Sequence, residues 1–443
     1  MARKKRVEPI VILIVLLVPL AVVATSTYAG PLMSGGMFLR WPAPAPSTTH
    51  DLPASYEPLH QGHFDLGTGL YIREDDDFIL HTTPSFVFRR TYRTHDSRPR
   101  EFGVGTTHNG EWLLIGDRTA FQWATLVFGG GGRIEFQRVS AGTSYRNALF
   151  EHWTSPTSFA GARLGWSGSE WLLRLRDGSL ARIAPCSGPP WKCTVLDIRD
   201  WDGHHIRFER DAAMTLLKID IGAESIEFHY DDQLRVIEAR DSSGRELRYT
   251  YDSAGRLVRS AASDGSIRLY AYDAMHRMTR VEEPGRIVEN AYDADGLLTK
   301  QLVWSAEGSQ HVLGEAPYIY EIAYKKDDGR VRQTDVRQSS GEHKRATFDQ
   351  SGYVVSETYA PDTPEFISVT YQRDAVNHIV NVVTVTCLSG RWRSTHRERV
   401  EPGHEHEVAA QLMAQWCERP STKTENIRQG RVRASVRFSR AVK

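Results

Sequence analysis

Apolar and polar residues alternate along most of this chain. Leu247, Tyr249 and Tyr251 share one parity, Arg248 and Thr250 the other, the period of a strand with one face buried. Between 60 and 200, short alternations such as Glu111-Trp112-Leu113-Leu114-Ile115 and Glu170-Trp171-Leu172-Leu173-Arg174-Leu175 are punctuated by Gly-Asp, by Gly129-Gly130-Gly131-Gly132 and by Asp177-Gly178-Ser179. Such spacing predicts successive hairpins. A helical pattern occurs late, over Glu405–Trp416, where Val408, Leu412 and Trp416 recur on one face. Strand-like alternation returns from Arg431 to Phe438.

From about 200 the pattern repeats itself. Tyr251-Asp252-Ser253-Ala254-Gly255-Arg256-Leu257 recurs as Tyr272-Asp273-Ala274-Met275-His276-Arg277-Met278 and as Tyr292-Asp293-Ala294-Asp295-Gly296-Leu297-Leu298, with the tyrosines 21 and 20 residues apart. Tyr230-Asp231 precedes them, and Asp211 begins the series. Tyr324, Phe348-Asp349 with Gly352, and Asp374 with Asn377 continue it less regularly. A second turn lies midway, since Gly244, Gly265 and Gly285 each stand seven residues before the next tyrosine. Each unit is therefore two strands and two turns. Aspartate opens a turn by accepting backbone amide hydrogens, and glycine or asparagine three residues later takes the left-handed conformation that closes it. The tyrosine is expected to bury its ring and leave its hydroxyl at the wet end. No unit can make a core alone, so neighbours must stack into one continuous sheet.

Composition agrees with a β-rich chain: 443 residues include 35 Gly, 17 Tyr and 11 Trp. Lys plus Arg and Asp plus Glu both number 55, so no global field favours nucleic acid or an anionic membrane as partner. The N-terminus changes the picture. Arg3-Lys4-Lys5-Arg6, an apolar run from Ile10 to Ala24, and small residues at Thr27 and Ala29 form a signal-peptide layout with cleavage expected after Ala29. The alternative is a retained anchor, for which 15 residues rising about 1.5 Å each are short. An exported chain, in the periplasm, at the cell surface or secreted, can hold disulfides. Cys186 and Cys193 bracket a turn-rich connection, and Cys387 and Cys417 remain as a second local pair. Four cysteines allow three connectivities, and a zinc site using His404-Glu405-His406 competes with the second pair.

The repeats resemble the YD repeats of the Rhs and teneurin-like families, in which a strip of hairpins spirals into a hollow shell. The resemblance covers about 200 to 380. Upstream, Asp65-Leu66-Gly67-Thr68-Gly69-Leu70, Arg89-Arg90-Thr91-Tyr92 and Phe102-Gly103-Val104-Gly105-Thr106-Thr107-His108-Asn109 look like the module that commonly precedes YD repeats in bacterial Rhs proteins. Thr106 departs from that pattern, where the family usually has tryptophan. The family's shells encapsulate a C-terminal toxin released by aspartate-dependent self-cleavage. This chain carries no Asp-Pro-x-Gly-Leu segment after Asn381, and about eight turn units are few for a closed cocoon.

The expected fold is therefore mainly β: an antiparallel hairpin-repeat sheet forming an open or partial shell, with one short C-terminal helix. The expected organisation is a signal peptide or anchor (1–29), a Pro-rich linker (30–58), an N-terminal β module (59–200), YD repeats (201–380) and a cap with helix and final strand (381–443). No catalytic, cofactor-binding or metal constellation stands out. Gly129–Gly132 lacks the lysine of a phosphate loop, and Asp293-Ala294-Asp295-Gly296 falls in the repeat register without the later glutamate of a calcium loop. His404-Glu405-His406-Glu407 lacks the histidine spacing of a metalloprotease helix, and Asp75-Asp76-Asp77 reads as a solvated turn or strand edge. The basic tail from Ser421 to Lys443 reads as an edge protected against sheet aggregation. The expected function is a non-enzymatic exported scaffold or binding surface for envelope carbohydrate or protein. The alternative is an Rhs effector remnant, or a separately encoded half-shell wrapping a toxin partner.

Overall fold

The computed structural model describes residues 64–396 apart from internal stretches, the longest of them 306–315 and 186–192. The signal segment, the linker, the helix of Glu405–Trp416, the His404–Glu407 cluster, the basic tail, Cys186 and Cys417 lie outside the described residues. No helix among the described residues is long and apolar enough to cross a membrane.

Alternation becomes strand wherever one face can be buried. A three-stranded antiparallel sheet forms first, from β1 (Ile72–Leu80), β2 (Phe86–Arg93) and β3 (Thr106–His108). The large sheet begins with β4 (Trp112–Gly116), β5 (Trp123–Phe128), β6 (Arg133–Arg138) and β7 (Leu149–His152). It continues through β8 (Ala162–Trp166), β9 (Trp171–Arg174), β10 (Leu180–Ile183) and β11 (Val195–Arg199). From His205–Arg210 to Ile367–Thr370 each further strand pairs antiparallel with the next in chain order, so the hairpins before residue 200 and the repeats after it share one sheet. Val385–Cys387 and Ser394–His396 extend it, and Gln372–Arg373 with Ile379–Asn381 makes a separate ribbon. A backbone bridge between Leu113 and Thr194 curls the first strands back on themselves. The sheet as a whole does not close, because its later strands run on past that seam. Among the described residues a 3-10 turn, Tyr145–Asn147, interrupts the strands.

The repeat produces a regular irregularity. A register shift precedes Tyr230, Tyr251, Tyr272, Tyr292 and Phe348, so each aromatic stands at a β-bulge opposite the first residue of the next strand. Bulges add twist and re-aim the side chain. The buried face carries Phe228, Ala239, Leu247, Tyr249, Tyr270, Val281 and Val288, and β1–β3 packs onto it: Phe88 meets Phe228 at 5.1 Å and Phe102 meets Tyr249 edge-on at 5.1 Å. One hydrophobic core thus spans the small sheet and the large one.

Candidate functional site

Each repeat turn is built by its aspartate. Oδ1 of Asp252 accepts from the amides of Ala254 (3.0 Å) and Arg256 (2.9 Å), and Asp231 and Asp273 do the same two and four residues on. Asp211 accepts from Ala213 and Thr215, Asp293 from Leu297, and Asp349 from Tyr353. Asp374 follows the strand Gln372–Arg373, and residues 376–378, where its turn would close, lie outside the described residues. The closing residue is left-handed throughout. Gly255, Gly296 and Gly352 take φ of 77°, 79° and 89°, but Met214, Leu234 and His276 occupy the same place at 66°, 58° and 61°. Three units therefore depart from the expected glycine or asparagine, each carrying backbone strain of about 1–2 kcal/mol.

Neighbouring turns are locked by an arginine. Arg235, Arg256 and Arg277 pair with the aspartate four residues before them, and each guanidinium lies over the tyrosine of the next unit, at 4.5 Å from Tyr251, 5.4 Å from Tyr272 and 5.1 Å from Tyr292. Arg256 and Arg277 also donate to the backbone carbonyls of Asp273 and Asp293. The tyrosine hydroxyls are not wet, contrary to the sequence expectation. Tyr251 donates to the carbonyl of Val236 at 2.6 Å, Tyr272 to Leu257 at 2.8 Å, Tyr292 to Met278 at 2.6 Å and Tyr324 to Leu298 at 2.7 Å, while Tyr230 bonds Leu216 in the same manner. The bulge swings the hydroxyl over the end of the preceding strand. Phe348 keeps the ring without the bond.

Asp75-Asp76-Asp77 is the main correction. The triplet lies inside β1, with Asp75 and Asp77 buried against the repeats. Burial is tolerated because each charge is answered. Arg73 donates to Asp75 at 2.6 Å; Arg90 donates to Asp77 at 3.0 Å and stacks 5.2 Å from Tyr249. The repeats complete the cluster: the Tyr249 hydroxyl donates to Asp77 at 2.7 Å, the Tyr270 hydroxyl to Asp75 at 2.9 Å, and Arg268 and Glu283 add one charge of each sign. Burial pushes the Asp75 carboxyl up, but the guanidiniums of Arg73, Arg90 and Arg268 outweigh it and hold it well below the carboxylate range. Burial, reinforced by Asp75, pushes the Tyr270 phenol up to about 12; burial and Asp77 push the Tyr249 phenol well up too.

Tyr249 and Tyr270 each stand two residues before a repeat tyrosine, as do Phe228 and Asn290, so one repeat position faces β1–β3. Sequence reasoning missed this role, although the recurrence two before each tyrosine was readable. The upstream motifs supply the other half of the seam. Thr334 Oγ1 donates to the carbonyl of Leu66, the Leu298 amide to Gly69, and the Val104 amide to Gly255. Gly103 is required for that approach, since a Cβ there would stand 2.7 Å from the Gly255 carbonyl oxygen. Tyr92 accepts from the Met278 amide and donates to the His276 carbonyl.

Among the described residues one turn groups ligand types for a metal: Asp200, Asp202 and His204, with His204 Nδ1 3.0 Å from Asp200 Oδ2. The His204 amide also donates to Asp200, so this is a repeat-like turn whose aspartate is already engaged. Cys193 is buried at the start of the segment that bridges β4, where its carbonyl accepts from the Leu114 amide at 2.8 Å. Cys387 lies on the strand Val385–Cys387.

Residues 230–267 match the family model described as RHS Repeat, and residues 63–136 match a domain of unknown function, DUF6531. No curated protein matches the chain. Among solved structures it is similar to the Tc holotoxin pore of Photorhabdus luminescens, at 12% identity and a TM-score of 0.34 over 74% of this chain and 18% of the other. It is equally similar to TcdB2-TccC3-TEV, at 12% and 0.34 over 74% and 19%. The chain thus spans less than a fifth of either. The chain therefore carries an RHS Repeat segment within the run of repeated Asp turns and a DUF6531 segment that docks against them.

Proposed function

We propose that the protein is an exported, non-enzymatic scaffold that presents a binding surface to carbohydrate or protein of the cell envelope. The observation that carries this reading is the use to which its ionisable groups are put. In the dense cluster at the seam the carboxylates of Asp75, Asp77 and Glu283 stand against the guanidiniums of Arg73, Arg90 and Arg268, so these side chains hold two sheets together rather than face a substrate. The sheet's outer face is left for recognition. The rival reading, a half-shell around a toxin partner, needs that buried face free, yet β2 packs on it at Phe228 and the segment before β1 at Thr334.

Export is supported by the N-terminal layout and by the cysteines, with Cys186–Cys193 proposed to staple the end of β10 to the Leu113/Thr194 seam and Cys387–Cys417 to cap the far end of the sheet. Pull-down of the purified chain against envelope glycans and extracts tests the function. A specific ligand is expected; recovery of none, or spontaneous cleavage on prolonged incubation, would overturn it. Non-reducing peptide mapping tests the staples.

A further inference from the structure

The hairpin of His343–Phe348 and Val354–Tyr359 departs from the other repeat hairpins in what it buries. Val354 stands opposite Phe348 at the bulge, as Val236 stands opposite Tyr230 in an earlier unit. The residue four before each aromatic and the residue three after its opposite number lie diagonally across the two strands. Ile226 and Ala239 fill these places in the earlier unit, both wholly buried. Here they are Lys344 and Glu357, each 2% exposed. Neither the bulge nor the strand pairing asks for charge at these places, and a buried ion pair costs more desolvation than apolar residues of similar volume.

The pair is held in an unusual way. Lys344 Nζ stands 2.7 Å from Glu357 Oε1, yet Oε1 accepts no hydrogen bond among the described residues, so the nitrogen comes in outside the angles a hydrogen bond uses. The other oxygen is taken: the Tyr371 hydroxyl donates to Oε2 at 2.8 Å. Burial, reinforced by Glu357, pushes the Tyr371 phenol well up, so it stays a donor. Tyr359 lies directly opposite Lys344, with Nζ 5.2 Å from its ring, and Ala346 and Val369 are wholly buried beside the pair. An amine in contact with a carboxyl group, a phenol on the far oxygen and a site shut off from water are the parts that amide formation needs.

We propose that Lys344 and Glu357 condense into an intramolecular amide that clasps the two strands. One proton moves from the Lys344 ammonium to Glu357 Oε1, leaving a neutral amine beside an undissociated acid, the form a low-dielectric site favours over two charges. Nζ then attacks Cδ, and the Tyr371 hydroxyl bonds the negative charge that gathers on Oε2. The nitrogen gives a second proton to Oε1, the Cδ–Oε1 bond breaks, water departs and the Nζ–Cδ bond remains. Neither an oxidant nor a second molecule enters the balance. The link bolts neighbouring strands together late in the repeat run, where a stacked array has fewer neighbours to hold it.

The test is tryptic mapping of the purified full chain by mass spectrometry. The peptide holding Lys344 is expected joined to the peptide holding Glu357, the pair lighter by one water than its two parts, with no cleavage after Lys344. Lys344→Met should abolish the link while the β-sheet circular dichroism is kept. Tyr371→Phe should slow the appearance of the linked pair in newly synthesised chain about a hundredfold, the effect of removing one donor from a developing oxyanion. A hydroxyl that only props the strands would leave that rate unchanged. Separate peptides cleaved after Lys344 in the unsubstituted chain, Lys344 joined to a different carboxyl group, or a link that forms at full rate without the Tyr371 hydroxyl overturns the proposal. The mapping of the unsubstituted chain decides the matter even where a variant fails to fold.

Discussion

At the scale of the residue, the repeat is carried by an aspartate, a left-handed position, an arginine and a tyrosine, and each can be tested singly. Tyr272→Phe keeps the ring under Arg256 but leaves the Leu257 carbonyl without its donor. A loss of about 1–2 kcal/mol is expected in urea unfolding, the cost of one buried group left unsatisfied. The left-handed turn residues predict the opposite sign. Leu234 is exposed and sits at φ 58°, so its side chain contributes little packing while its backbone is strained. Leu234→Gly removes about 1–2 kcal/mol of strain and adds about 0.5–1 kcal/mol of unfolded-chain entropy, giving a net stabilisation of roughly 0.5–1 kcal/mol. A lower denaturation midpoint for that variant would show that the turn gains nothing from its freedom.

At the scale of the element, the decisive feature is the polar seam between β1–β3 and the repeats. Arg90 and Asp77 are both almost wholly buried, so Arg90→Met should cost about 3–5 kcal/mol by stranding a carboxylate. It should also expose β1–β3 to protease before the large sheet yields. The same seam sets an acid limit. Asp75 is depressed in the folded state, so its contribution is present above the unfolded value of about 3.9 and is lost as pH falls below it. Stability should fall on acidification below about pH 4, and Asp75→Asn, already destabilised at neutral pH, should show a flatter acid limb. This element also marks the boundary of what the sequence revealed. Strands, turns and the antiparallel sheet were legible because period two and Asp-x-x-Gly spacing are local. The burial of Asp75 and Asp77 was not, because nothing local distinguishes a solvated acidic run from one whose guanidiniums and phenols come from β2 and from strands some 170 to 195 residues away. The bulge likewise escaped notice: a strict alternation gives the tyrosine's face but not the rotation that sends its hydroxyl back to the preceding strand.

At the scale of the whole molecule, the phenols join strands along the sheet, and they predict how it comes apart in base. Tyr230, Tyr251, Tyr272, Tyr292 and Tyr324 each donate a hydrogen to a backbone carbonyl, and burial raises every one of them above the ordinary phenol value; Tyr270, donating to Asp75, is raised to about 12. A phenol whose folded value is raised contributes stability that is fully present below the unfolded value of about 10 and is lost as pH climbs through the folded one. Because the donors recur at successive units, deprotonating one removes the bond that holds its strand to the strand before it, and neighbouring units lose their support in turn. The tyrosinate absorbance should therefore rise in two stages: exposed phenols near pH 10, then a steep, cooperative step above it that coincides with loss of the β-sheet circular dichroism. Replacing Tyr251, Tyr272 and Tyr292 together by phenylalanine should shrink the second stage while lowering stability at neutral pH. A single smooth titration with the dichroism intact would show that these hydroxyls are free in solution, and the strand-to-strand bonds would then have no part in holding the sheet.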